Sequence, residues 1–306
     1  MKIRIWGARG SLPTPGRHTV RYGGNTACVE ILYGNPERRI IVDAGTGIKG
    51  LGDHIVRTEL PAKPLQSHLF ISHTHWDHLL GFPFFVPLYI PSTKLDIYAP
   101  FTYETDQIED IFDILLSYRH FPVRQAELAA DITYHQINEQ TMELEDGMIV
   151  SSKFLNHPVA CLGYRFEHEG KIFCTVFDHE PFRNLFDVDP SSPEYDETTA
   201  REGAEVADEE NRRIHEFYQN ADLIIHDTQY TRREFRKNRI GWGHSSFEYA
   251  LESASFARVK QLAFFHHDPL RSDDELDRIQ QHYRVMGRMF GVDVSIATEG
   301  KTYALG

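Results

Sequence analysis

The sequence predicts an α/β (α+β) protein with sheets covered by helices in a single domain, residues 1–306. Strand patterns dominate both halves of the chain, helical periodicity is interleaved between them, and no linker or short-period repeat divides it into two cores. With 306 residues, 41% of them hydrophobic, a sizeable core can be buried. The opening "KIRIWG" (2–7) alternates as a half-buried strand does. "TACVEILYG" (26–34) is apolar and β-rich, and "RRIIVDAGTG" (38–47) reads as a buried strand ending in a Gly-rich turn. A short helix is expected over about 47–57, followed by the strand "SHLFISH" (67–73). From Gly81 to about Ile137 the pattern changes. "GFPFFVPLYIPS" is Pro- and aromatic-rich loop, "KLDIYAP" is a strand, and "ETDQIEDIFDILLSYR" has helical spacing behind a Thr102 or Thr105 cap.

Strands return at "MIVSSKFLNHP", "LGYRFEHEG" and "KIFCTVFDHE". The acidic, Pro/Ser-bearing stretch 187–210 reads as a solvated excursion leading into a helix. Then come the strand "ADLIIHDTQY", a helix from Ser246 to Ala257, the strand "QLAFFHH", a helix from Ser272 to Phe290, and the strand "DVSIATEG". Two excursions from the sandwich are expected, near 82–135 and 179–220.

A net charge of −13 argues against a protein that grips long nucleic acid through a basic face. It leaves room for a small phosphorylated substrate held by metal ions. Cys28, Cys161 and Cys174 form no C-x-x-C pair, which speaks against a disulfide framework and a zinc finger. The start "MKIRIWGARGS" has no apolar h-region, and no stretch reaches 18 uncharged apolar residues. A soluble cytoplasmic protein without a membrane segment is expected; homodimerisation is compatible with the sequence.

Residues 73–78, "HTHWDH", place three histidines and an aspartate directly after an apolar strand. Neutral imidazole and carboxylate together suit a borderline divalent metal such as zinc. In an extended or turning loop His73 and His75 can point one way, while Asp77 and His78 face a second point nearby. Four such side chains within six residues are hard to explain as core or as solvated surface.

The stretch resembles the signature of the metallo-β-lactamase superfamily, whose members share a four-layer αββα fold. The resemblance extends along most of the chain: Asp43 in "IIVDAGTG", His157 in "FLNHP", Asp178 in "CTVFDHE" and His266 in "LAFFHHDP" follow in the family's order. It implies two divalent ions, Zn²⁺ first, with Mn²⁺ or Fe²⁺ as alternatives. The first would be held by His73, His75 and His157, the second by Asp77, His78 and His266, with Asp178 bridging and a water or hydroxide between them. Cations roughly 3.5–4 Å apart acidify such a water and clamp both oxygens of an in-line displacement. Asp77 is thereby a ligand and part of the catalytic set. Asp43 would orient a ligand histidine or the motif loop; a strand-end turn residue is the alternative. Alternation along the strand lets only one of His266 and His267 reach the metals, and the family motif favours His266.

"LIIHDTQY" (223–230) and "GWGHSS" (241–246) resemble paired motifs of the phosphodiesterase branch, which includes ribonuclease Z and cyclic-nucleotide phosphodiesterase-like proteins. There an acid in the first motif, here Asp227, orients a histidine in the second, here His244. That pair implies a proton donor for an alkoxide leaving group; a histidine capping the next helix is the alternative. "GARGSLPTP" and "GGNTACVEI" look like the same branch, so Asn25 lies near the site or caps a loop. The long arm of the tRNA endonucleases is missing between His157 and Asp178, which stand 21 positions apart (178 − 157) with a hairpin's sequence between. The expected activity is therefore metal-dependent hydrolysis of a small phosphodiester, a cyclic nucleotide among the candidates, with no long nucleic acid as partner. The 82–135 segment, with its aromatics and Arg119, would form a lid over base and phosphate or else simply a local core. His179 would line the pocket or lie on the surface. Alternatives are a thioester or other acyl hydrolase of the same fold, and a catalytically silent metal-binding or metal-sensing protein.

Overall fold

The alternation in "KIRIWG" becomes strand β1 (Lys2–Gly7), with Ile3 and Ile5 buried and Lys2 facing out. The computed structural model describes residues 1–60, 62–101 and 107–306, and every element named here belongs to them. β2 (Cys28–Tyr33) and β3 (Arg38–Val42) continue antiparallel from β1. Helix α1 (Gly47–Thr58) buries Ile48, Leu51 and Ile55, an i, i+3, i+7 stripe, and returns the chain to β4 (Gln66–Phe70), parallel to β3. The single turn α2 (Trp76–Leu79) follows, then β5 (Lys94–Pro100), α3 (Ile108–Leu115) and β6 (Asp131–Ile137).

The chain then enters a second sheet through β7 (Thr141–Glu143), β8 (Ile149–Phe154), β9 (Leu162–His168) and β10 (Lys171–Val176), an antiparallel meander. Beyond α4 (Glu197–Phe217) come β11 (Leu223–Asp227), α5 (Arg232–Asn238), α6 (Phe247–Phe256), β12 (Gln261–Phe265), α7 (Asp273–Phe290) and β13 (Asp293–Ile296), with β10 to β13 running parallel. β14 (Thr302–Ala304) crosses back to pair with β1. Among the described residues the sheet orders are β14-β1-β2-β3-β4-β5-β6 and β13-β12-β11-β10-β9-β8-β7.

Three apolar clusters define the layers. Ile5, Val29, Ile40, Val42 and Phe70 from the first sheet meet Tyr164, Phe166, Phe173, Ile225 and Phe265 from the second between the sheets. On the outer face of the first sheet, Ile41, Leu69 and Ile97 pack with Ile48, Leu51 and Phe112. On the outer face of the second, Ile224, Leu262 and Phe264 pack with Ile214, Phe247, Leu251 and Tyr283. Helices thus cover both outer faces of the paired sheets, the four-layer αββα order.

The segment 82–135 is in good part sandwich: β5 and most of β6 extend the first sheet, because "KLDIYAP" and "DITYHQI" pair in parallel register. Of the two readings of the aromatics here, lid or local core, Phe82 and Phe85 take the second: both are fully buried against α1 and α3. Phe84 remains exposed, packed on Phe121 at 5.3 Å. Arg119 borders a surface hollow with Asp113 and His120, and none of the candidate metal ligands lines it. The Thr102 and Thr105 caps fall outside the described residues; α3 begins behind Gln107, whose N–H donates to Asp110 Oδ2 (2.9 Å). The helices after Ser246 and Ser272 start on those serines, which accept from Tyr249 N and Glu275 N. Among the described residues no helix is long and apolar enough to cross a membrane.

Candidate metal centre

β3, β4, β8, β10, β11 and β12 all end on one edge of the sandwich, where open α/β sheets place their ligands. Just beyond those ends the chain bends sharply. Asp43, Asp178 and His266 each adopt a left-handed backbone, with φ of 62°, 51° and 59°. Such conformations are strained for residues with a Cβ, and they gather where a site must aim its side chains.

Three overlapping groups of candidate ligands result; two hold the residues expected as ligands, and the third sets Asp227 and His244 beside Asp178 and His266. His73, His75, His157 and Asp178 bring one ligand atom each within 4.8 Å of one another, and so do Asp77, His78, Asp178 and His266. In the first group His73 Nε2 lies 3.0 Å from His75 Nδ1, which lies 3.1 Å from His157 Nε2. Asp178 Oδ2 is 3.3 Å from His73 Nε2 and 3.8 Å from His157 Nε2. In the second, His266 Nε2 lies 3.2 Å from His78 Nε2 and 3.0 Å from Asp77 Oδ2. Asp178 Oδ1 is 3.2 Å from His266 Nε2, and it is buried without a hydrogen-bond partner. Ligands placed about 2.0–2.2 Å around a tetrahedral ion stand about 3.3–3.6 Å apart, so both groups fit a cation in size and donor type.

Protonation fits as well. Burial pushes the imidazolium of His75 down to about 4 and of His157 to about 3, and lowers that of His73, leaving neutral nitrogens. In the second group burial disfavours the charged forms of Asp77, His78 and Asp178. Even so, Asp77, Asp178 and Asp43 hold His78 well above its usual range, while the histidines hold Asp77 and Asp178 well below theirs. Buried carboxylates demand positive charge there, which a divalent ion can supply in place of protons.

A surrounding set of contacts aims the ring nitrogens. Asp43 Oδ2 is 2.6 Å from His78 Nδ1, and Asp43 also accepts from Ser72 N and Ser72 Oγ, each at 2.7 Å. A proton held on Nδ1 leaves the lone pair of His78 Nε2 for the site. The Gly243 carbonyl accepts from His157 Nδ1 at 3.0 Å. Gly243 needs its φ of 80°, and a Cβ there would sit 2.2 Å from His157 Nδ1. The Gln229 amide lies 2.8 Å from His266 Nδ1, and its oxygen, turned that way by a half-rotation, leaves Nε2 free to bind. Gly10 lies against the His266 ring, and Ser11 N donates to Asp77 Oδ2 at 2.7 Å, which gives the "GARGS" stretch a local role.

His244 and Asp227 stand beside the second group. His244 Nδ1 is 3.0 Å from Asp227 Oδ2, and its ring stacks on that of His266 with centroids 5.0 Å apart. Burial works against its charge, yet Asp227, with help from Asp178 and Asp77, raises it to about 9. Glu180 steadies the loop that carries His244. This 4%-exposed carboxylate accepts from Gly241 N and Gly243 N at 2.8–2.9 Å.

The fold thus brings His73, His75, Asp77, His78, His157, Asp178, His266, Asp43, Asp227 and His244 to one edge. It leaves His267 aside, its Nε2 on the Ala297 carbonyl at 2.9 Å. Asn25 donates its backbone and side-chain N–H groups to the Glu299 carboxylate. His179, a residue for pocket or surface by sequence, is fully buried behind the site, 3.3 Å from the Tyr249 hydroxyl. Ser72, Glu180 and Gln229 were missed, because their roles arise from contacts across loops rather than from a local pattern.

No family model matches the chain. A ribonuclease Z of Thermococcus sibiricus is 26% identical over 333 residues, covering 100% of this chain and 98% of the relative. Among solved structures, the metallo-β-lactamase fold protein YhfI of Bacillus subtilis superposes with a TM-score of 0.63 at 16% identity, over 99% of this chain and 98% of that one. The short form of human tRNase Z gives 0.62 at 17% identity over 100% of both chains. A diphosphatase of the PhnP family gives 0.62 at 14% identity, over 100% of this chain and 98% of that one. The chain has the metallo-β-lactamase fold, and the full-length similarity to ribonuclease Z supports a metal-dependent hydrolase acting on phosphodiester bonds. The same similarity supports the superfamily's phosphodiesterase branch, the one that includes ribonuclease Z.

Proposed function

We propose that the protein is a dinuclear, zinc-dependent phosphodiesterase of the cytoplasm that cleaves a small diester, a cyclic nucleotide being a fitting substrate. His73, His75, His157 and Asp178 would hold one ion, and Asp77, His78, His266 and the shared Asp178 the other. Bound there, the ions supply Lewis acidity and an acidified water. The observation that carries phosphoryl rather than acyl chemistry is the buried Asp227–His244 pair, 3.0 Å long and stacked on His266. An alkoxide leaving a phosphodiester needs a proton in the transition state, and His244 Nε2 is the atom that delivers it. Asp227 keeps the opposite nitrogen protonated and the ring in orientation. A thiolate leaving group has a far lower pKa and calls for no such donor, so thioester hydrolysis leaves the pair without a task. Asp43, Ser72, Gln229 and Glu180 act by holding these rings in place.

The small size of the substrate is supported by the route from β9 to β10, a tight turn at Glu169 and Gly170 with no inserted arm, and by the charge of −13. A second reading, cleavage of a tRNA precursor, is favoured by the full-length similarity to ribonuclease Z. Turnover of 2′,3′- and 3′,5′-cyclic nucleotides beside a precursor tRNA, at one salt concentration, decides between them. The proposal expects higher kcat/KM on a small diester. Efficient endonucleolytic cleavage of the precursor with inert cyclic nucleotides would replace it with the second reading.

A further inference from the structure

Between β1 and β2 the stretch Ala8–Ser11 carries an arginine that no solvent reaches: Arg9 is 0% exposed. A guanidinium out of water is costly unless its donors are taken up and its charge is offset. Here Nε donates to the Gly23 carbonyl at 2.8 Å, and Nη1 donates to the carbonyls of Arg271 at 2.7 Å and Asp268 at 3.3 Å. Nη2 lies 3.9 Å from Asp273 Oδ1, and Asp268 and Glu299 add negative charge nearby. One side chain thus ties together carbonyls from two other segments, and within one of them from two residues three positions apart. The planar fork of an arginine spans such a set as a lysine's single ammonium does not.

The backbone follows the same path. Gly10 N donates to the His267 carbonyl and His267 N to the Ala8 carbonyl, each at 3.0 Å. The loop 8–11 is therefore fastened to the loop 266–271, and both loops reach the second ligand group. Gly10 lies so close to the His266 ring that a Cβ would sit 2.3 Å from its Nδ1. Ser11 holds a left-handed backbone, φ 61°, and its N–H donates to Asp77 Oδ2 at 2.7 Å. Ser11 Oγ is 3.1 Å from the Gln229 amide that borders His266. The first group is supported elsewhere, His157 by the Gly243 carbonyl and His73 by Ser72 and Cys161. We propose that Arg9 is a positioning residue for the second ion. It acts through Gly10, Ser11 and the 266–271 backbone, and by clamping the two loops it sets Asp77 and His266 against each other. The assignment rests on the two-ion reading and gives the two halves of the centre separate supports.

The test is a zinc titration against a chromophoric chelator of the parent protein, Arg9→Met and Arg9→Lys, with circular dichroism and Tm beside it. The parent should bind about two ions per chain. In Arg9→Met one ion should keep its affinity while the other loses about 10–100-fold, the usual cost of removing a group that supports a ligand, and excess zinc should restore it. Arg9→Lys, which keeps the charge without the fork, should fall between. Adding His157→Ala to Arg9→Met should abolish the tight ion, since that ion belongs to the first group. Unchanged affinity at both sites, an equal loss at both, or a tight ion that survives His157→Ala overturns the proposal. If Arg9→Met fails to fold, Arg9→Lys decides by the same split; failure of both in saturating zinc makes Arg9 a brace of the fold alone and overturns its role. A parent that binds a single ion overturns the two-ion reading, and the role of Arg9 with it.

Discussion

Replacing His244 by alanine should slow alkyl esters far more than p-nitrophenyl esters. The imidazole is buried, 3.0 Å from Asp227, and raised to about 9, so at pH 7 its charged form prevails about a hundred to one. Neighbouring cations would lower that value; even at a pKa near 7 about half the molecules would carry the proton. Removing the donor should cost about 10²–10⁴-fold in kcat on an alkyl diester, the usual range for general acid catalysis. p-Nitrophenolate leaves without protonation, so its esters should lose only a small factor. Asp227→Asn removes the charge that raises the pKa. His244 then falls to about 6.5 or below, and at pH 7.5 only about a tenth of it stays protonated. The loss on alkyl esters should therefore be about tenfold, and the alkaline limb of the rate profile should move to lower pH. The sign follows from the raised pKa: the acid form is present below it and is lost as pH rises through it. Steady-state kinetics on both ester types from pH 6 to 10, beside elemental analysis, makes the comparison. Equal losses on the two types, or missing metal in His244→Ala, would refute the role.

Asp178→Ala should lower metal content from about two ions per chain to below one, since both ligand groups contain that carboxylate; retention of two ions would place the bridge elsewhere. Gly243→Ala adds a Cβ 2.2 Å from His157 Nδ1 at a φ of 80°, and should leave about one ion by displacing the first group only. Glu180→Gln should keep both ions and cut kcat on alkyl esters by about tenfold, with a smaller effect on p-nitrophenyl esters, because it loosens the His244 loop. A loss of equal size on both would mean general disruption.

Much of this arrangement was legible in the sequence because its chemistry is local. "HTHWDH" compresses four candidate ligands into one turn, and Asp43, His157, Asp178, Asp227 and His266 each end or follow an apolar strand that the pattern reveals. The helix starts at Ser246 and Ser272 were readable for the same reason, since a cap acts within three residues. The short strands β7 and β14 were not, because three residues carry too little alternation to register. For Phe82 and Phe85 the sequence left lid and local core open, because their burial depends on α1 and α3 arriving from elsewhere in the chain. Glu180 and Gln229 look like ordinary polar residues until folding sets them against Gly243 and His266. The left-handed backbones of Asp43, Asp178 and His266 leave no trace in the sequence, since nothing in residue type demands a positive φ there.

The central claim, phosphodiester hydrolysis at a two-ion centre, is tested most directly by the relative turnover of three chromogenic substrates on the zinc-loaded protein: bis-(p-nitrophenyl) phosphate, p-nitrophenyl phosphate and a thioester. A diester presents one negative charge to the ions and carries a second ester arm, whereas a monoester brings two charges and no second arm. The account predicts kcat/KM for the diester well above both others. Faster turnover of the thioester would contradict it and put acyl hydrolysis in its place.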